Sequence, residues 1–186
     1  VRRLLSFAVE RGYLDANPLL RVKMLNVPVS HVTWSQDDCD RFEASNPPEP
    51  LLTAYMLGRY TGQRRGDVLR MSRSRYDGLG FELVQGKTGE ALWIPTHSRL
   101  KAYLDALPAD RLLWVVMASG APWRPDSFGH VFARQTSAAG LSDRSFHGLR
   151  HRAATELADA GCDDRDIMAI TGHRTASMVK RYTAKA

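Results

Sequence analysis

Between residues 81 and 94 the spacing of apolar side chains changes period, and no other feature constrains the fold so tightly. Phe81-Glu82-Leu83-Val84 and Ala91-Leu92-Trp93-Ile94 read as two short strands. The turn-rich Gln85-Gly86-Lys87-Thr88-Gly89-Glu90 between them predicts a hairpin with Lys87 near its tip, and Pro95 ends the second strand. On both sides the pattern is helical. Leu4, Leu5, Ala8 and Val9 stand at helical spacing within residues 1–14, and Gly12 with Asn17-Pro18 closes that segment. Ser35 followed by Asp37 and Asp38 predicts a capped helix start, with the helix running to about Ala44. Residues 51–60 read as a buried helix, and 64–71 as another after a turn at Thr61-Gly62. From Leu100 the pattern is helical again, with a Gly- and Pro-rich interruption over 120–125; further helices fit 127–139, 147–160, 164–170 and 176–182. The expected fold is mainly α with one small antiparallel β-sheet, an α+β arrangement.

Residues 19–32 lack clear periodicity, contain Pro28 and read as a linker, which separates residues 1–18 from 33–186. The chain opens on Val1-Arg2-Arg3 already in a helical pattern, so it reads as a piece of something longer. Cys39 and Cys162 lie far apart and make no metal-ligand pair, which predicts a reducing cytoplasm. The longest apolar runs, such as 112–118, are far shorter than the roughly 20 residues of a membrane-spanning helix. The net charge of +6 favours a polyanionic partner, but a basic soluble protein of another kind would look the same by charge. Motifs have to decide.

Four local features carry chemistry: Thr61-Gly62-Gln63-Arg64-Arg65-Gly66-Asp67, Lys87 on the hairpin, His147-Gly148-Leu149-Arg150-His151, and Thr171-Gly172-His173 with Tyr182 nine residues on. Transfer of a phosphodiester to a protein hydroxyl builds negative charge on the non-bridging oxygens, which preorganised cations must meet. Arginine suits this because its planar fork binds two phosphate oxygens and stays charged. Ionising a tyrosine phenol at neutral pH costs about 4 kcal/mol, which nearby cations or a base must offset. A lysine can protonate the departing sugar oxygen. The sequence offers Arg64, Arg150, Lys87, His147 and His173 but no evident carboxylate cluster for Mg²⁺, so neither a metal nor another cofactor is expected. On a helix His147, Arg150 and His151 share one face, with Leu149 directed to the core. Arg64 starts its predicted helix after a glycine turn, where free backbone N–H groups favour an anion.

Each residue also has a plainer reading. A lone surface arginine is usually a solvated charge, and Tyr182 could pack with Met178 and Val179. His173 could only fix the Gly172 turn. His31, His97 and His130 stand outside any motif and read as structural or surface groups, and the four tryptophans as core.

Taken together and in order, the motifs resemble those of the tyrosine recombinases, the family of phage integrases and chromosome-dimer resolvases. That family shows Thr-Gly-x-Arg, a hairpin lysine, His-x-Leu-Arg-His, Gly-His and then a tyrosine, and residues 34–183 match this order. The resemblance implies a recombinase catalytic domain over residues 33–186, with residues 1–18 the last helix of a preceding core-binding domain. It implies that Arg64 and Arg150 clamp the scissile phosphate, Lys87 protonates the leaving 5′ oxygen, His147 moves the Tyr182 proton, and His173 hydrogen-bonds the phosphate. Tyr182 would form a 3′-phosphotyrosyl link that a 5′ hydroxyl reverses without ATP. Arg65 and Arg174 are candidate DNA contacts, and His151 a packing neighbour of the site. Gln63 replaces the usual Leu, a change expected to matter little. Asp67 replaces the usual Glu and either buttresses the arginine or caps the helix. The implied partner is a double-stranded DNA recombination site bound by a homotetramer of the full-length protein, in the cytoplasm at the nucleoid; the piece in hand would be a monomer. The competing readings are a catalytically silent DNA-binding module of the same fold and a type IB topoisomerase-like enzyme.

Overall fold

A computed structural model describes residues 1–22 and 31–183, with side chains as far as Lys180. It falls into two compact units, Val1–Ser30 and His31–Ala186. In the first, α1 spans Arg2–Glu10, shorter than the periodicity suggests, because Gly12 turns the chain at φ 73° and its N–H bonds Val9 O. The Asn17 side chain then donates to Arg2 O and Ser6 Oγ, tying the following turn back onto α1. Of the predicted linker, residues 23–30 lie outside the described residues.

The second unit follows the predicted mainly helical pattern. α2 (Gln36–Ala44) starts on a reciprocal cap in which Asp38 N–H bonds Ser35 Oγ and Ser35 N–H bonds Asp38 Oδ2. α3 (Glu49–Thr61) begins earlier than its apolar run, because Pro50 is tolerated in a first turn, and it stops at Gly62 in the left-handed conformation. The helix expected over 64–71 is a single turn, α4 (Arg65–Val68), followed by a 3₁₀ turn at Arg73–Arg75. Here the chain bends back so that Ser72 bridges to Leu113, which a longer helix would prevent.

Strands β1 (Gly80–Val84) and β2 (Ala91–Pro95) form the predicted hairpin, in register from Gly80 opposite Pro95 to Val84 opposite Ala91. Phe81 and Ile94 face inward as one pair, so Trp93 points outward and is 52% exposed, against its expected place in the core. Trp34 and Trp114 are buried as expected. α5 (Ser98–Asp105) is brief. Beyond it the apolar stretch expected to be helical is irregular, with isolated bridges at Leu113 and Val116, and Trp114, Val115 and Val116 are buried. Pro108, Pro122 and β-branched Val115 and Val116 all disfavour helix there. α6 (Pro125–Ala138), α7 (Phe146–Asp159), α8 (Asp164–Thr171) and α9 (Ala176–Thr183) complete the unit.

The main core joins α2, α3, the hairpin, α5, α6 and the start of α7 around Trp34, Phe42, Tyr55, Phe128, Phe132 and Phe146. A smaller apolar cluster of Ala154, Ile167 and Val179 packs α7, α8 and α9 together. The motif-bearing segments therefore hang on α3 and α7, which the main core fixes, and on α8 and α9, which the small cluster fixes.

Candidate active site

Arg150 is the centre of the arrangement. It lies in the second turn of α7, 1% exposed, beside fully buried Leu149. Its Nη1 donates to Gly62 O at 2.8 Å and to Thr171 O, and its Nε lies 3.3 Å from His173 Nε2. A buried guanidinium is tolerated because carbonyl dipoles replace its hydration. Those carbonyls come from the two helix ends that Gly62 and Gly172 turn, at φ 64° and 71°. Three motifs distant in sequence thus meet at one side chain.

The His173 ring is placed by the same bonds. Thr171 Oγ1 donates to Ile167 O, so at its 2.7 Å contact with His173 Nδ1 it accepts, and the proton sits on Nδ1. Nε2 then presents its lone pair to Arg150 Nε–H. Burial, with Arg150 and Arg64 nearby, pushes the His173 pKa down to about 3, so the ring is neutral at pH 7.

His147 and His151 stand on the predicted common face of α7, their rings 5.0 Å apart. Both are pushed down to about 4 by burial, and by neighbouring histidine and arginine. His31, expected to be a bystander, joins them: its ring is 4.7 Å from that of His147, and its Nδ1 lies 3.0 Å from Ser145 Oγ, the cap of α7. No motif surrounds it, so no local signal could have found it.

Arg64 is the extended residue that caps α4. That helix is one turn of four residues, too short to supply the anion-favouring terminus expected from the sequence. Arg64 is instead held by a side chain, donating from Nη1 to Gln85 Oε1 at 2.6 Å. Asp67, 2% exposed, accepts from Gly86 N–H at 2.8 Å and from Arg70 at 2.6 Å, and lies 4.0 Å from Arg64. It thus anchors the turn of the hairpin as well as facing the arginine. Lys87 is exposed on the hairpin turn, as predicted, and Thr88 beside it bonds Gln85 Oε1 at 2.9 Å. Arg174 donates to Thr88 O at 2.6 Å and so pins the turn; Arg65 lies 3.7 Å from Asp126.

Position 182 lies in α9, packed on α7 and α8 by fully buried Val179, but the Tyr182 side chain is outside the described residues. The structure thus brings Arg64, His147, Arg150 and His173 into one electrostatic neighbourhood, with Lys87 on the adjoining turn. Gln63 corrects the sequence reading. It is 1% exposed and bonds Ile170 O and Gln85, so it belongs to the scaffold of the site.

The profile of the phage integrase family matches residues 40–186. The integrase of Escherichia phage HK022 is 28% identical over 191 residues, covering 94% of this chain and 53% of that protein. Tyrosine recombinase XerC of Corynebacterium glutamicum is 25% identical over 198 residues, covering 98% of this chain and 64% of that protein. The chain therefore spans about half to two thirds of the length of these curated relatives. Among solved structures, a lambda integrase tetramer bound to a Holliday junction superposes with a TM-score of 0.78 at 22% identity, over 97% of this chain and 56% of that one. The lambda integrase catalytic core gives 0.66 at 26% identity, over 78% and 93%. The fold superposes on these structures and the family profile covers most of the chain, so the chain belongs to the phage integrase family.

Proposed function

We propose that the protein is a site-specific tyrosine recombinase that cleaves and rejoins DNA strands through a 3′-phosphotyrosyl intermediate. The observation that carries this reading is the convergence of three motifs on buried Arg150. Arg64 and Arg150 clamp the non-bridging oxygens of the scissile phosphate. Neutral His147 takes the phenolic proton as Tyr182 Oη attacks phosphorus. The bond to the 5′ oxygen breaks, and Lys87 gives that oxygen its proton. His173 aligns Arg150 in the arrangement seen and bonds a phosphate oxygen after its proton moves to Nε2. A 5′ hydroxyl from another strand reverses the step, and the phosphodiester bond energy is kept throughout. We assign catalysis to residues 33–186, and residues 1–18 to the end of a preceding DNA-binding domain. Arg65 and Arg174 lie next to site residues and are assigned to flanking DNA phosphates. By likeness to the lambda integrase tetramer on its junction, four full-length copies act on paired double-stranded sites, in the cytoplasm where that DNA lies.

The test is covalent capture. A nicked duplex, carrying the sequence this protein selects from a randomised pool, traps cleavage because the short 5′ strand diffuses away. Wild type is expected to form a denaturant-stable protein–DNA adduct that Tyr182→Phe abolishes. Tight binding without any adduct would identify a DNA-binding module instead.

A further inference from the structure

Two glutamines that the cleavage chemistry does not use lie in the middle of the site. Gln85 is fully buried, and its side chain makes four hydrogen bonds to three separate segments. Its Oε1 accepts from Arg64 Nη1 at 2.6 Å and Thr88 Oγ1 at 2.9 Å. Its Nε2 donates to Gln63 Oε1 at 2.7 Å and Thr171 O at 2.8 Å. Gln63 in turn donates from Nε2 to Thr61 O at 3.0 Å and Ile170 O at 2.8 Å. Thr171 O is the same carbonyl that receives Arg150 Nη1.

We infer that Gln63 and Gln85 form a buried amide relay that positions Arg64 and Arg150 relative to each other. The relay also locks the Lys87 hairpin to the Gly172–His173 turn. An amide fits where other side chains do not. One end must accept from a cation and a hydroxyl while the other donates to two oxygens. A carboxylate lacks the donors, and an aliphatic chain lacks both. Two amides in series pass this polarity from the end of α8 to Arg64, and the two glutamine side chains themselves are buried, where an orphaned group is costly. Gly172 is part of the device, because a Cβ there would meet Gln85 Nε2 at 2.5 Å. Loss of the relay frees Arg64 to swing and loosens the hairpin, while the surface charge that binds DNA is unchanged. Gln63 and Gln85 are thus positioning residues.

This rests on the recombinase reading for its kinetic part and on the fold alone for its structural part, so two measurements are needed. The first needs no DNA. The Gln85 side-chain amide protons, followed by NMR, are expected to exchange slowly in wild type and to lose that protection in Gln63→Leu. Fast exchange in wild type would overturn the relay, whatever the enzyme does. The second is single-turnover adduct formation on the nicked duplex. Gln85→Leu is expected to slow cleavage about 30-fold with DNA affinity within about threefold of wild type, the size of effect that misplacing a reacting group by a fraction of an ångström produces. In an Arg64→Lys background the same change is expected to cost less than about threefold, because the group it positions is already altered. Equal losses in both backgrounds, or wild-type cleavage by Gln85→Leu, would overturn positioning while leaving the recombinase reading intact. If Gln85→Leu fails to fold, Gln63→Leu in the same two backgrounds gives the same comparison. A wild type that shows slow Gln85 exchange but forms no adduct would retain the relay as a structural element and overturn its role in positioning for cleavage.

Discussion

Arg150 shows how little of a residue's working environment is written in its neighbours along the chain. His-x-Leu-Arg-His identifies it as a candidate, and helical spacing puts it near His147 and His151. Nothing in the motif says that it is buried, or that its partners are two backbone carbonyls 88 and 21 residues away. Because those carbonyls fix its guanidinium, Arg150→Ala is expected to lower adduct formation by about 10³-fold, as when a preorganised donor is removed from a transition state. DNA affinity, spread over many phosphates, should change less than about threefold. An active Arg150→Ala protein in the covalent-capture assay would remove Arg150 from the site. Thr171 makes a finer test. Thr171→Val keeps the shape but deletes the hydroxyl that accepts the His173 Nδ1 proton. The His173 ring should then shift toward the other tautomer, visible in its ¹⁵N shifts. Unchanged ¹⁵N shifts would refute the tautomer assigned to His173.

At the scale of elements, the ends of helices matter more than their middles. α3 and α8 both stop at glycines in the left-handed conformation; at these turns the Gly62 carbonyl accepts from Arg150, and the Thr171 carbonyl accepts from Arg150 and Gln85. Gly172→Ala is expected to cost about 1–2 kcal/mol in backbone strain alone. It also pushes into Gln85, so cleavage should fall more than the loss of stability explains; a urea midpoint and an adduct rate on the same variant separate the two. Most of the helices and the hairpin were readable from period, caps and turn residues, all of which are local. The failures were local signals overridden by long-range pairing. Residues 64–71 look helical but give up all but one turn, so that Ser72 can reach Leu113. The Leu112-to-Val116 stretch looks helical but is irregular, held by isolated bridges of Leu113 to Ser72 and Val116 to Pro122.

For the whole molecule, the histidines make folding depend on pH in one direction. His147, His151 and His173 are all held below the ordinary value of 6.5, at about 4, 4 and 3. Between those values and 6.5 the unfolded chain binds protons that the folded chain refuses, so stability is greatest above 6.5 and declines as the pH falls through this window. The urea midpoint is expected to hold steady from pH 8 to 7 and to drop steadily from 6.5 to 4; a flat profile down to pH 5 would contradict the neutral buried histidines. The sequence by itself determined the fold class, the order of the elements, and four of the segments that form the site, because periodicity, capping and motif spacing are properties of short windows. Only the tertiary structure decided that Gln85 and His31 belong with them, that Gln63 and Thr171 hold other site side chains in place, that Arg150 is buried, and that Trp93 is not. Those facts depend on which distant carbonyl, ring or amide arrives beside each side chain. That is settled when the main core docks α3 on α7 and the smaller cluster docks α8 and α9 against them.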